Sequence, residues 1–159
     1  MTVSSSDFRA ALSRFASGIT VVTTKDLQGK LHGITVSAFC SVSLEPPLVL
    51  ICIERSAGSH YAFGESGLFN VNILASGQEG VSEHFATIYD DKFLDAEHVI
   101  GENGIPYLPG SIATLECKLT KPIDGGDHSI FLGEVQNAVV RDGDPLVYYH
   151  GNYRALADL

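Results

Sequence analysis

Alternating and β-branched apolar runs, closed by glycine, proline or aspartate, fill most of this 159-residue chain. The first segment differs. Phe8, Ala11, Leu12 and Phe15 recur at i, i+3, i+4 and i+7 behind Ser4-Ser5-Ser6-Asp7, which predicts a capped amphipathic helix ending near Ser17-Gly18. Ile19–Thr24 reads as a β-branched strand, Asp26–Lys30 as a turn around Gly29, and His32–Ser37 as the partner strand. Leu48–Ile53 is apolar at every position and predicts a strand buried on both faces. Glu54–His60 leads into a short helix through Phe63. In Leu68–Leu74, Phe69, Val71 and Ile73 alternate with Asn70 and Asn72, the pattern of a half-buried strand.

Ser76-Gly77-Gln78-Glu79 has the form of a capping box, and Val81, Phe85 and Ile88 continue one helical face. From Tyr89 to Gly110 the chain is acidic and irregular, a surface excursion of the length that serves as a lid or dimer contact. Strands resume with Ala113, Leu115, Cys117 and Leu119. Asp124–Asp127 turns into a long strand, Ser129–Val140, and Asp142–Pro145 turns into the last, Leu146–Tyr149. Six or more strands with few helices predict a mainly β, antiparallel barrel in one domain, residues 1–159. A doubly wound sheet would need a helix after nearly every strand.

Between the second and third strands lies Gly33-Ile-Thr-Val-Ser-Ala-Phe-Cys-Ser-Val-Ser-Leu-Glu-Pro-Pro47. Thr35, Ser37, Ser41 and Ser43 fall on alternate residues, so in extended chain their hydroxyls share one face. Such a row suits an oxygen-rich heterocycle with a ribityl or phosphate tail; it equally suits a strand edge and turn.

The formal charge of −9 and the pI near 4.9 argue against nucleic acid or an anionic membrane as partner. No apolar run is long enough to span a bilayer, and the N-terminus lacks the pattern of a signal peptide. Three cysteines without a CxxC, and no N-x-S/T sequon, fit a reducing cytoplasm. Cys52 and Cys117 fall within apolar strand patterns and read as core residues.

No HExxH, paired-His or Cys/His cluster predicts a metal site, and no GxSxG, P-loop or strand-borne GxGxxG is present. Three polar clusters remain: Thr35 to Ser43; Arg55-Ser56-Ala57-Gly58-Ser59, where a guanidinium, hydroxyls and helix-start amides could grip a phosphate; and Asp127-His128 with Tyr153-Arg154. Singly, each has a structural explanation as cap, turn or surface charge.

Together with Phe15-Ala-Ser-Gly-Ile-Thr-Val-Val-Thr23, Gly33 to Leu50, Phe69-Asn-Val-Asn-Ile-Leu74, His84-Phe-Ala86, Asp91-Lys-Phe93, Gly126-Asp-His128, Leu132-Gly-Glu-Val135 and Pro145 to Arg154, these clusters make the chain resemble the flavin reductase-like, FMN-binding split-barrel family from Phe8 to about Leu156. The resemblance implies a dimeric split barrel that binds FMN or FAD near the subunit interface. It implies use of NADH or NADPH and delivery of reduced flavin to a partner oxygenase. By motif position, Thr35, Val36, Ser37 and Ala38 would meet the isoalloxazine and ribityl. Ser41, Val42 and Ser43 would continue that wall, and Cys52, Ile53 and Glu54 would lie along the ring or ribityl. Arg55, Ser56 and Ser59 would hold the phosphate, Phe85 would border the flavin, and His128 would stand beside the nicotinamide with Tyr153 and Arg154 nearby. His128 is expected to orient the nicotinamide and Arg154 to offset cofactor charge. The competing expectations are a flavin-binding split barrel without reductase activity and a pyridoxamine-phosphate-oxidase-like enzyme.

Overall fold

A computed structural model describes residues 2–88 and 90–157, so Tyr89, where the predicted excursion begins, lies outside the described residues. In chain order the elements are α1 (Ser5–Leu12), β1 (Ser17–Gly18), β2 (Thr20–Lys25), β3 (Leu31–Val36), β4 (Phe39–Leu44), β5 (Pro47–Glu54), α2 (His60–Ser66), β6 (Leu68–Ile73), α3 (Glu79–Ala86), β7 (Val99–Ile100), β8 (Pro106–Tyr107), β9 (Ala113–Gly125), β10 (His128–Val140), β11 (Val147–Tyr149) and β12 (Asn152–Arg154).

Seven strands form one sheet in the order β3-β2-β6-β9-β10-β5-β4, every neighbouring pair antiparallel. Its two edge strands, β3 and β4, are consecutive in sequence and joined by Ser37 and Ala38 alone. Laid flat, strands about 4.8 Å apart would separate those edges by roughly 29 Å. Three residue steps reach only about 11 Å. The sheet must therefore curl until its edges nearly meet, which makes an open barrel with a seam at Ser37-Ala38. The predicted mainly β, antiparallel barrel is the architecture observed.

The barrel interior is packed by Val22, Ile51, Ile53, Phe63, Phe69 and Phe131. A second cluster outside it joins Ile19, Val21, Leu74, Phe85, Phe93 and Leu146. Adjacent residues Val21 and Val22 serve the two clusters, so β2 is buried on both faces. β5, predicted for that role, instead alternates. Val49, Ile51 and Ile53 are buried, while Leu48, Leu50 and Cys52 on its other face are half-buried, because nothing in the chain fully covers that face next to the sheet edge. Cys52 is therefore not the core residue its neighbours suggested; Cys117 is, and burial with the nearby Glu116 charge pushes its thiol up to about 12.

Two glycines in the motif stretches are there for packing. A Cβ on Gly33 would stand 2.6 Å from Cε1 of Phe85, and one on Gly133 would stand 2.8 Å from Cε1 of Phe69. Each lets a buried ring lie against strand backbone.

Three other expectations are corrected. α1 forms, capped by Ser4 accepting from Asp7 N, but ends at Leu12 rather than near Ser17-Gly18 and buries no residue; Phe8 and Leu12 on it are 54% and 56% exposed, and Phe15 beyond its end is 78% exposed. The Ser76–Glu79 capping box does not close. Gln78 stands at the start of α3 without a side-chain cap and is instead used to join segments: its Oε1 accepts from Ala75 N and its Nε2 donates to Pro109 O. α3 stops at Ala86, so Ile88 leaves the helical face and is exposed.

The excursion is also less superficial than its composition implies. Phe93, Ile105 and Leu108 are buried. Asn70 and Asn72, expected on a solvent face, are fully buried. Asn70 Nδ2 donates to Ile105 O at 3.2 Å, and Asn72 Oδ1 accepts from Leu108 N at 3.0 Å. They pin the loop to the sheet and supply its backbone groups with partners.

Candidate functional site

The hydroxyl row does not lie on one strand. Thr35 ends β3 on one sheet edge, while Ser41 and Ser43 sit in β4 on the other, with a bulge at Val42 that breaks their alternation. Curling of the sheet brings them back together. Phe39 N donates to Ser37 O at 2.9 Å, and Cys52 N donates to Ala38 O at 3.0 Å. A continuous backbone track thus runs from Thr35 through Ser37-Ala38 to Cys52 and on to Glu54. Ser37, Ala38, Ser41 and Val42 are exposed along it. Among the described residues, the N–H groups of Ser37 and Ala38 and the hydroxyls of Ser37, Ser41 and Ser43 have no protein partner.

At the far end of the track, β5 pairs with β10 so that Glu54 faces His128 and Ile53 faces Ser129. This register delivers the second polar cluster to the Gly126-Asp127-His128 turn. Arg55 Nη2 donates to Asp124 Oδ1 at 2.8 Å and its Nε to Gly126 O at 3.1 Å. Hydrogen bonds from Gly126 N and Arg55, with the guanidinium charge, lower the Asp124 carboxyl below its usual value. Ser56 Oγ donates to Glu54 Oε1 at 2.5 Å, whereas Ser59, at the start of α2, makes no side-chain cap. His128 Nδ1 donates to Asp127 Oδ1 at 2.7 Å, a bond that holds the Asp127 carboxyl below its usual value. With Nδ1 so engaged, Nε2 is left to face solvent or a ligand.

Tyr153 belongs to the other end. Its hydroxyl donates to Ser82 Oγ at 3.0 Å, and Thr35 Oγ1 donates to Ser82 O at 2.6 Å, so one α3 residue joins β12 to β3. The cluster expected from Asp127-His128 with Tyr153-Arg154 is therefore split. Tyr153 and Arg154 stand in the small sheet β1-β11-β12, and no hydrogen bond or strand pairing joins them to His128 among the described residues.

Several predicted residues can meet a ligand only through backbone, because their side chains are core. Val36 and Ile53 pack in the barrel interior. Phe85 is fully buried against Gly33 and Phe93, beneath the wall it was expected to border. Residues outside the predicted site complete the picture. Ser82 is the hub for Thr35 and Tyr153. Ser129 bonds His60 Nε2 at 2.9 Å, and burial, then the Arg55 charge, lower the His60 imidazole. Lys92 donates to Phe85 O at 2.6 Å and Gly33 O at 3.2 Å, and burial lowers its ammonium. Apart from the Lys92–Phe85 bond, these links join residues far apart in sequence, and no local pattern signals them.

The sequence profile of the flavin reductase-like domain family matches residues 12–157. The chain is 42% identical over 149 residues to an FMN reductase (NADH) of Agrobacterium fabrum, spanning 94% of this chain and 84% of that one. It is 37% identical over 150 residues to the reductase subunit of a flavin-dependent monooxygenase of Rhodococcus jostii, spanning 94% and 76%. An NADH:FAD oxidoreductase of Streptomyces globisporus C-1027, solved with NAD and FAD fragments, superposes with a TM-score of 0.91 at 37% identity over 99% of this chain and 97% of that one. Profile, relatives and superposition span the seam and the β5–β10 end alike, and the chain belongs to the flavin reductase-like domain family.

Proposed function

We propose that this protein is an NADH-dependent flavin reductase that passes reduced FMN or FAD to a partner oxygenase. The observation that carries the reading is the seam, where unpaired amides and hydroxyls of both sheet edges meet on a track that ends at His128. Such a donor set fits a ring edged with carbonyl oxygens and nitrogens. Ser37 and Ala38 N–H would hold that edge, with the Ser37, Ser41 and Ser43 hydroxyls beside it. The half-buried side chain of Cys52 and the backbone of Val36, Ile53 and Glu54 would form the floor. Ser59 and the guanidinium of Arg55 would hold a phosphate, Arg55 sharing itself with Asp124.

The bound nucleotides supply hydride transfer, and the chain's task is position and exclusion of water. Unpaired backbone N–H groups aimed at a ring favour negative charge that develops there. His128 is the residue for the nicotinamide side, its ring held by Asp127. Relatives named as reductases for FMN and for FAD support either flavin as acceptor, and the monooxygenase subunit among them supports an oxygenase as recipient.

The exposed face of α1 with Phe8 and Leu12, the exposed Phe15 after it, and the half-covered face of β5 support a homodimer, in which a second copy buries apolar surface that one chain leaves open. A cytoplasmic location accords with the free cysteines.

The test is NADH oxidation by the purified chain, followed at the nicotinamide band with and without FMN or FAD. Oxidation that requires flavin and saturates in both substrates is expected. A protein that binds flavin yet leaves NADH untouched would contradict the proposal.

A further inference from the structure

A cavity of about 260 Å³ lies between the 100–107 loop and the outer face of the β9–β10 ladder. It shares no residue with the seam or the β5–β10 end. Its floor carries the cross-strand pairs Glu116–Asn137 and Thr114–Val139. Glu116 is half-buried, and its carboxylate receives one long hydrogen bond, from Asn137 Nδ2 at 3.5 Å. Gly101 lets the loop close over it, since a Cβ there would stand 3.0 Å from Glu116 Oε1. Arg141, an exposed residue, lines the same cavity; its backbone N donates to Ile112 O at 2.7 Å and its Nη1 to Ser111 O at 3.3 Å. Among the described residues neither charge has an ion-pair partner, and the two do not pair with each other.

Opposite charges that line one cavity without pairing suit a ligand that carries both. A simple cation drawn to Glu116 meets the guanidinium. A simple anion drawn to Arg141 meets Glu116, Glu102 on the rim and a chain of net charge −9. A ligand ammonium would give the Glu116 carboxylate the cation that the described residues do not supply. Ile100 and Val139, 52% and 42% exposed, offer apolar wall beside the charges. The volume is small for a ligand pocket and suits a compact molecule.

We propose that this cavity is a second binding site, for a small zwitterion of the α-amino-acid type with an apolar side chain, its ammonium toward Glu116 and its carboxylate toward Arg141. The site is distinct from the proposed flavin track.

Calorimetric titration of the purified full-length chain with L-leucine, L-phenylalanine, phenethylamine and hydrocinnamate tests this. The zwitterions are expected to bind with a dissociation constant of about 1 mM or tighter, and the single-charge analogues about tenfold more weakly. Glu116→Gln and Arg141→Gln should each weaken the zwitterion about tenfold while flavin-dependent NADH oxidation stays as in the parent. Val139→Trp, which fills the cavity from a partly exposed position, should abolish binding in a chain that still melts cooperatively. No binding heat from either zwitterion, or binding that both charge substitutions leave unchanged, would overturn the proposal.

Discussion

Asp127 Oδ1 accepts a 2.7 Å hydrogen bond from His128 Nδ1 at the tip of the β9–β10 hairpin, two neighbours in sequence locked together where β5 delivers Glu54. The bond fixes the imidazole tautomer and leaves Nε2 outward. Both side chains are partly exposed, so the pair adds little to stability; its value lies in orientation. Asp127→Asn is expected to lower kcat/KM for NADH by about threefold to tenfold, with Asp127→Glu restoring part of it and the melting temperature unchanged. Equal kinetics for all three proteins would remove the positioning role.

Gly33 and Gly133 make stability predictions that leave site chemistry aside. Alanine at either would force a Cβ into the ring of Phe85 or Phe69, both fully buried. Each substitution should cost about 1–3 kcal/mol in denaturant unfolding, the usual penalty of overpacking. A neutral result would mean that the rings shift freely.

How much of this was readable beforehand differs by feature. Element types followed from periodicity, because β-branched runs and glycine turns act locally. The hydroxyl row from Thr35 to Ser43 was visible, but its division between two sheet edges was not. That division comes from strand order, which is set by pairings such as Glu54 with His128, far apart along the chain. Asn70 and Asn72 misled for the same reason. Alternation marks them as solvent-facing, and only the returning 99–110 loop turns them into buried anchors. α1 erred in the opposite sense: its apolar stripe is real, but among the described residues it buries none of it.

Asn72→Ala removes the acceptor for Leu108 N and the donor to Val21 O at 3.0 Å. Amide hydrogen exchange in 99–110 should accelerate well beyond that elsewhere in the barrel, with stability reduced by about 1–3 kcal/mol. Unchanged exchange in the loop would show that it is held without Asn72, by Asn70 and by Thr23, whose Oγ1 donates to Pro106 O.

Asp26 sets an acid limit on the hairpin that precedes the seam. The carboxylate is buried and accepts from His32 Nε2 at 2.9 Å, from the N–H groups of Gln28 and Lys30, and from Tyr61 Oη. The His32 bond is the largest influence, and the sum lowers the carboxyl below its unfolded value of 3.8. A lowered folded value means that stabilisation is complete above the unfolded value and is lost as pH falls through the folded one. Asp26→Asn should therefore flatten the stability profile below pH 3.8 while lowering the plateau above it. A parallel shift at every pH would show that Asp26 does not titrate on unfolding.

Anaerobic rapid mixing of the flavin-loaded chain with NADH reads hydride transfer itself, as bleaching of the flavin band. The seam and His128 together predict bleaching within the turnover time, slowed about tenfold in His128→Ala by loss of a positioned contact. A flavin band that persists with NADH in the parent protein, or bleaches equally fast in His128→Ala, would contradict the account.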